Sequence, residues 1–385
     1  MYRDAAADQP NDASKNADQT HEACSSSSSC AIGAKWTPLR LLSIEPYNHD
    51  TSLFEFELPQ VSSDNNNDDD DDKRTMMMKK TKLNLPITAH LWVRAPGREH
   101  GSGGDAVRPY TSVSDPHTDN GSFRIMVKRY REWGIPEEKQ RQQHKIFLFT
   151  KTDHSYKPPG AVSTYIHELR VGDTLEFRFQ QPQCLGRIQY PFPSDVTAIT
   201  MIAVGAGVAP MIRVLRELLR RNKDNGDGPQ PRTIRLLYGV RTVSDILLRP
   251  LLDEWHDTSI QDSSDNNNDD QNSSSSSTPS FRVMYCVGSR FANVHFAAKT
   301  KKAEGPPPPV DYEEMPSDRK CLGWVDGAKV LRYGASTPND PGHRVFVCGL
   351  PGVYWNLVGP RSDPELSPDC ELHKLGFQSN QIVKF

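Results

Sequence analysis

The sequence lacks the features that define several large protein classes. It has seven cysteines in 385 residues, an odd number with no C-x-x-C pair. That pattern supports neither a disulfide framework nor a zinc site, and it fits a reduced, intracellular compartment. No apolar run approaches the roughly 20 residues of a membrane span, so membrane association would need another protein as anchor. The first twenty residues hold no apolar stretch and no arginine-rich face, so neither a secretory signal nor a transit peptide is recognisable. The expected location is cytoplasmic or mitochondrial. There is no basic surplus either: the formal charge is -3, which argues against nucleic acid as the main partner. Hydrophobic residues make up only 36% of the chain. The deficit is local, concentrated in runs such as "SSDNNNDDDDD" at 62–72 and "QDSSDNNNDDQNSSSSSTPS" at 261–280. Such segments cannot bury enough apolar surface to offset chain entropy. A disordered tail over 1–35 and disordered insertions over 62–80 and 257–280 are therefore expected.

What remains has ordinary globular composition and two distinct patterns. From Trp36 onward, "LRLLSIEPYN", "TSLFEFELP", "ITAHLWVRAP", "RPYTSVS", "SFRIMVKRY" and "DTLEFRFQ" alternate apolar and polar residues, as half-buried strands do. "HKIFLFTKT" extends the fifth or belongs to an insertion. Six short strands with turn signals between them predict a small antiparallel barrel over 36–190. Past Asp195 the chain switches to unbroken apolar runs separated by helical spacing. "VTAITMIAVGAG", "TIRLLYGV", "FRVMYCVG" and "HRVFVCGL" read as strands buried on both faces. "APMIRVLRELLRRN" carries Met211, Leu215 and Leu218 on one face and arginines on the other. "SDILLRPLLDEW" reads as a helix with Ser244 as N-cap and a kink or delay at Pro250. Strand–helix alternation predicts a Rossmann-like, doubly wound domain over 195–385.

Four stretches carry chemistry. In "AVGAGVAPM", a buried strand ends, Gly205 and Gly207 make the turn, and a helix opens with Pro210 in its first turn. Exposed amides there suit an anion, although a ligand-free tight turn has the same spacing. In "KPPGAVSTYIHELRVGD", Gly160 precedes a helix over 163–170, and the amides around Ala161, Val162 and Ser163 form its positive end. A plain capped helix is the alternative. "RPYTSVS" sets Arg108, Pro109, Tyr110 and the hydroxyls of Thr111, Ser112 and Ser114 into seven residues. Such a set suits a ligand with a phosphate at one end and a flat ring at the other. Equally, Tyr110 can fill a barrel core and Arg108 a salt bridge. In "VFVCGLPGVYW", a strand ends at Cys348 and turns on Gly349, at the carboxyl edge where such sheets bind ligands. A buried cysteine is otherwise simply small and apolar.

In this order, the pieces resemble the ferredoxin-reductase superfamily, and most closely the NADH–cytochrome b5 reductases. The flavin motif R-x-Y-[ST]-x-x-S is similar to Arg108, Tyr110, Thr111 and Ser114. The pyrophosphate motif resembles Gly160, Ser163 and Tyr165 with the Gly172–Asp173 turn, and the nucleotide loop resembles Gly205 to Met211. "TVSDILLR", "GWVD" and "CGLPG" also match, and Phe385 is an aromatic terminus of the family's kind. The chain departs from the pattern at Val204, Ala209 and Leu350, and in a long tail reminiscent of a mitochondrial relative that supports haem attachment to cytochrome c.

The resemblance implies a six-stranded FAD-binding barrel followed by a Rossmann-like parallel-sheet NAD-binding domain. It implies FAD and NADH as cofactors, no metal, and hydride transfer to the flavin followed by single electrons to a haem protein, either cytochrome b5-like or cytochrome c-related. Thr111 and Cys348 would stand at the reacting rings. Asp245 would favour NADH over NADPH by hydrogen-bonding the adenosine ribose, with Arg241 opposing it on charge. The alternative is a relative without turnover that serves as a flavin-binding scaffold.

Overall fold

The structure, a computed structural model, describes residues 30–59, 81–99, 103–118, 121–130, 160–181, 183, 187–188, 190–221, 231–265, 279–288 and 311–385. The alternating stretches form β1 (Thr37–Pro46), β2 (Thr51–Glu57), β3 (Leu91–Ala95), β4 (Ala106–Tyr110), β5 (Ser122–Lys128) and β6 (Thr174–Arg178). They pair antiparallel in the order β4-β3-β6-β1-β2-β5. Their inward residues, among them Phe54, Phe56, Phe123, Ile125 and Phe177, form one core. Phe177 meets Phe56 and Phe123 edge-on, with ring centroids 4.9 and 5.3 Å away. Just past Tyr110, Ser112 bridges Ile125 and the Val113 amide donates to the Arg124 carbonyl at 2.9 Å, which brings the two outer strands together as a barrel. One helix, α1 (Ala161–Glu168), packs beside β3, β4 and β5.

The second half holds β7 (Ala198–Val204), α2 (Val208–Arg221), β8 (Thr233–Val240), α3 (Arg249–Asp265), β9 (Ser280–Val287), β10 (Lys320–Leu322), α4 (Gly327–Tyr333), β11 (His343–Cys348), α5 (Pro351–Leu357), α6 (Glu371–Lys374) and β12 (Ile382–Lys384). The six strands run parallel in the order β10-β9-β8-β7-β11-β12. All seven residues of β7 are buried, which explains its unbroken apolar run. Among the described residues, no helix is long and apolar enough to cross a membrane.

Several expectations are corrected. Residues 30–35 of the supposed tail are placed: Ile32 is wholly buried in the barrel core, and the Gly33 carbonyl accepts from the Phe179 amide at 2.8 Å. The insertion expected over 257–280 begins later, because α3 continues to Asp265. Two buried polar side chains there are paired, Ser259 inside the expected insertion and His256 just before it. His256 Nδ1 accepts from the Val283 amide at 3.1 Å, and Ser259 Oγ accepts from the Phe281 amide at 3.3 Å. Ser244 does not cap that helix. Thr242 and Asp245 form a reciprocal capping box on a short 3-10 turn, and the helix starts at Arg249 with Pro250 in its first turn. The strand expected at "RPYTSVS" ends at Tyr110. "HKIFLFTKT" and the insertion over 62–80 lie outside the described residues.

The two halves are locked together along α2. Its arginines face the barrel: Arg213 donates to the Leu85 carbonyl, and Arg216 to the Val113 carbonyl at 2.6 Å. His117 and Glu217 pair at 2.8 Å. Val113 and Met126 of the barrel share an apolar cluster with Ala209, Met211 and Ile212.

Candidate active site

Where barrel and sheet meet there is a cleft of about 740 Å³. Its barrel side is built by the start of β3, the end of β4 and the N-terminus of α1. Its other side is the carboxyl edge of the parallel sheet, after β7 and β11. Arg108, Pro109, Tyr110, Thr111, Gly160, Ala161, Val162, Ser163, Gly207, Pro210, Cys348, Gly349 and Phe385 all line it. The structure thus brings together most of the residues singled out by sequence, from segments more than 200 positions apart.

The exceptions have local explanations. Ser112 is fully buried, and its Oγ accepts from the Ser114 amide at 3.3 Å. Ser114 Oγ accepts from the Arg124 amide at 2.6 Å. Both serines close the barrel rather than face the cleft. Gly205 lies behind the lining, with a positive φ of 55° that glycine adopts without strain. Its carbonyl accepts from the Tyr238 hydroxyl at 3.0 Å. Ser163 lines the cleft, but its hydroxyl donates to the Gly160 carbonyl at 3.1 Å. What α1 offers a ligand is therefore its first amides.

Asp245 departs furthest from expectation. Lys128 Nζ of the barrel reaches it at 2.9 Å and also reaches Asp50 at 2.7 Å. Its other oxygen accepts from the Thr242 amide and hydroxyl at 3.2 and 2.9 Å. Burial alone would raise its carboxyl, but the Lys128 and Thr242 bonds outweigh burial and hold it below the usual carboxylate range. The neighbouring stretch is tied to the barrel as well. Asn48 Nδ2 donates to the Ser244 carbonyl at 3.0 Å, and the Leu248 amide to the Tyr47 hydroxyl at 2.8 Å. Asp245 is part of a latch between the halves and does not line the cleft.

The cleft's charge is one-sided. Arg108, Lys128, Arg187, Arg361 and Lys384 line it, with no Asp or Glu among the described lining residues. Arg108 has only a loose ion pair, 3.6 Å to Glu99, and is nearly half exposed. Lys384 is buried, and its ammonium donates to the carbonyls of Pro360, Asp363 and Glu365 at 2.8–2.9 Å. Arg187 donates to the carbonyls of Arg361 and Ser362 at 2.8 and 3.1 Å. These two cations hold the loop that carries Arg361 into the cleft. Sequence gave no sign of it, because the clamp joins side chains to distant carbonyls.

His90 was also missed. Leu91 pairs with Tyr110 at the end of the β3–β4 ladder, and His90 and Thr111 follow directly on from that pair. Both line the cleft. His90 Nε2 is buried with no hydrogen-bond partner among the described residues. Burial, then the Arg361 charge, lowers the imidazole to about 4, so it is neutral near pH 7 and can donate or accept. The strand's alternation was the available signal, since His90 and Trp92 fall on the face opposite Leu91 and Val93.

At the sheet edge, Gly207 is required by close approach. A Cβ there would overlap the backbone of Cys348 and Gly349. Burial pushes the Cys348 thiol up, so it is a neutral, compact group rather than a nucleophile. Burial likewise pushes the Tyr130 phenol up to about 12. The Tyr354 hydroxyl donates to the Phe385 carbonyl at 2.5 Å, and the Phe385 ring packs 5.5 Å from Phe346.

These residues fit FAD. The cations and the α1 amides suit a diphosphate, Tyr110 and Tyr130 offer neutral flat faces, and the orphaned His90 nitrogen needs a polar partner of the kind a flavin edge provides.

Comparison with known proteins agrees. Residues 73–190 match the oxidoreductase FAD-binding domain family, and residues 201–284 the oxidoreductase NAD-binding domain family. NADH-cytochrome b5 reductase 2 of Coccidioides immitis (strain RS) is 23% identical over 358 residues, covering 91% of this chain and 77% of the relative. NADH-cytochrome b5 reductase 2 of Yarrowia lipolytica (strain CLIB 122 / E 150) is 25% identical over 356 residues, covering 91% and 86%. The solved cytochrome b5 reductase domain of Ulva prolifera nitrate reductase shares the fold, with a TM-score of 0.56 at 21% identity over 92% of this chain and 99% of that one. The chain belongs to the ferredoxin-reductase superfamily, as an FAD- and NAD-binding oxidoreductase of the cytochrome b5 reductase type.

Proposed function

We propose that this chain takes electrons from NADH and passes them singly to a haem protein of the cytochrome b5 kind, in a reducing intracellular compartment. The observation that carries the proposal is the cleft at the junction of the two domains, lined by Arg108, Arg187 and Arg361 and by no Asp or Glu among the described residues. The names of the relatives supply the donor and the acceptor class. FAD, when bound, supplies the exchange between hydride and single-electron chemistry.

The residues have separable tasks. Arg108 and the first amides of α1 neutralise a diphosphate. Tyr110 would hold the ring system, with Thr111 and His90 available to its polar groups. Ala206, Gly207 and the start of α2, which line the cleft, would receive the second nucleotide. Cys348 and Phe385, which line the cleft at the sheet edge, would shield the bound rings from water, so that alignment rather than acid–base catalysis would set the rate. Lys128 joins the latch at Asp245 to the cleft wall.

The test is a visible spectrum of the purified chain, followed by anaerobic titration with NADH and NADPH and then by addition of cytochrome b5. Yellow protein that NADH bleaches and cytochrome b5 reoxidises in one-electron steps is expected. Colourless protein that binds no added FAD would overturn the proposal. Bleaching without electron transfer to cytochrome b5 would overturn the acceptor alone.

A further inference from the structure

Away from the cleft, β9 and β10 run parallel at the edge of the nucleotide-domain sheet. In their register Cys321 stands opposite Cys286, and the two sulfurs lie 3.2 Å apart. Both are thiols, and neither lines the cleft, so electron transfer makes no use of them. Their surroundings differ. Cys286 is completely buried, whereas Cys321 is partly exposed. Lys329 and Arg332 of α4 lend Cys321 positive charge. The contact between the two sulfurs, followed by those cations, favours a thiolate at Cys321 against burial and the nearby Asp326 carboxylate, while Cys286 keeps its proton.

We infer that Cys286 and Cys321 are a redox-active dithiol, which a hydroperoxide closes into a cross-strand disulfide. Neighbouring strands lie about 4.8 Å apart, within the roughly 4.4–6.8 Å that disulfides span between Cα atoms. The strands can therefore stay in place while the sulfurs close from 3.2 Å to a bond of about 2.05 Å. The chemistry needs no further reagent. The Cys321 thiolate attacks the peroxide, an S–O bond forms, the O–O bond breaks, and an alcohol or water leaves after taking up a proton. The Cys286 sulfur then attacks the Cys321 sulfenic acid. An S–S bond forms, the S–O bond breaks, and water departs with the Cys286 proton. Two thiols are oxidised and one peroxide is reduced. An external thiol reverses the bond.

The position gives the bond a mechanical effect. β10 is only three residues long and is paired on one side, to β9. It leads directly into the turn at Gly323, whose amide donates to the Val287 carbonyl at 2.8 Å. Val325, just beyond, packs in one cluster with Val204, and Val204 lines the cleft. A disulfide would pin the strand that supports this wall.

The test uses the full chain. It is treated with hydrogen peroxide, quenched with an alkylating reagent, digested without reduction and examined by mass spectrometry. A cross-linked peptide pair joining Cys286 to Cys321 is expected, reversed by dithiothreitol, and formed about tenfold faster than oxidation of buried Cys370. In Cys286→Ser, Cys321 should stop at a sulfenic acid that dimedone traps. In Cys321→Ser, Cys286 should lose its reactivity toward peroxide. Hydrogen exchange at Lys320–Val325 should slow on oxidation. The inference is overturned if both cysteines remain alkylatable after excess peroxide, or if Cys321 runs on to sulfinic acid while Cys286 stays reduced. Undiminished peroxide reactivity of Cys286 in Cys321→Ser would overturn the assigned order, and unchanged exchange would overturn the tether.

Discussion

Two stretches of this chain, "RPYTSVS" and "TVSDILLR", look alike as sequence: each mixes hydroxyls with charge beside a strand end. The fold uses them in opposite ways. The first keeps Arg108, Tyr110 and Thr111 on the cleft and turns its serines inward to close the barrel. The second is consumed by contacts between domains: Asp245 is held by Lys128, the Ser244 carbonyl by Asn48, and the Leu248 amide by Tyr47. The deciding factor is what each stretch faces. A charge that is nearly half exposed and only loosely paired, as Arg108 is with Glu99, stays available to a ligand. A carboxylate that meets a largely covered ammonium, as Asp245 meets Lys128, is already satisfied.

The largest expected effect breaks the latch. Lys128→Met leaves the carboxylates of Asp50 and Asp245, whose side chains are 11% and 7% exposed, without their cation. Breaking a buried pair from one side costs about 3–5 kcal/mol, which should be read as a clear fall in the midpoint of chemical unfolding. An unchanged midpoint would show that the latch is an ordinary surface contact. Next comes Arg108→Ala, which should weaken FAD roughly 10- to 100-fold, the equivalent of one charge-assisted bond. Equal retention of flavin through gel filtration would remove the arginine from the site.

Cys348→Ala should keep its flavin yet slow flavin reduction by NADH on the order of tenfold, since small misplacements of reacting rings are costly. Stopped-flow absorbance measures this directly, and wild-type rates would leave Cys348 as strand packing. A pH series separates His90 from the rest. Between its ordinary value and about 4 the folded chain binds fewer protons at His90 than the unfolded chain does. Stability at this site is therefore complete above about pH 6.5 and declines toward pH 4, by at most about 1.4 kcal/mol per unit. His90→Gln should flatten that part of the acid limb, and an identical slope would refute the assignment. The smallest effect sharpens the comparison. Asp245→Asn should loosen the domains but leave the NADH-to-NADPH ratio of kcat/KM within about twofold of wild type, because the acid is already engaged by Lys128 and Thr242. A large swing in that ratio would return Asp245 to the coenzyme site.

Much of this was legible in the sequence, for identifiable reasons. Alternation exposed the six barrel strands, because one face of each is buried. Unbroken apolar runs exposed β7, β8, β9 and β11, because both faces are. β10 and β12 are three residues each, too short for any periodicity to register. The motif glycines were readable because a backbone approach as tight as that of Gly207 to Cys348 permits no side chain. The orphaned nitrogen of His90 depends on β3 lying beside β4, and the arrival of Arg361 depends on Lys384 and Arg187, so neither could be read locally. Polar composition misled at 257–265, where buried Ser259, like His256 just before it, finds a partner on β9 that a compositional count cannot see.

The loop held by Lys384 and Arg187 has a consequence for how such proteins diversify. Both cations grip carbonyl oxygens, which every amino acid supplies. Its side chains are thus free to drift over generations while its path is preserved. Position 361 can be exchanged without rebuilding the support beneath it. A lineage could therefore retune what approaches the cleft by single substitutions here and leave the redox machinery untouched.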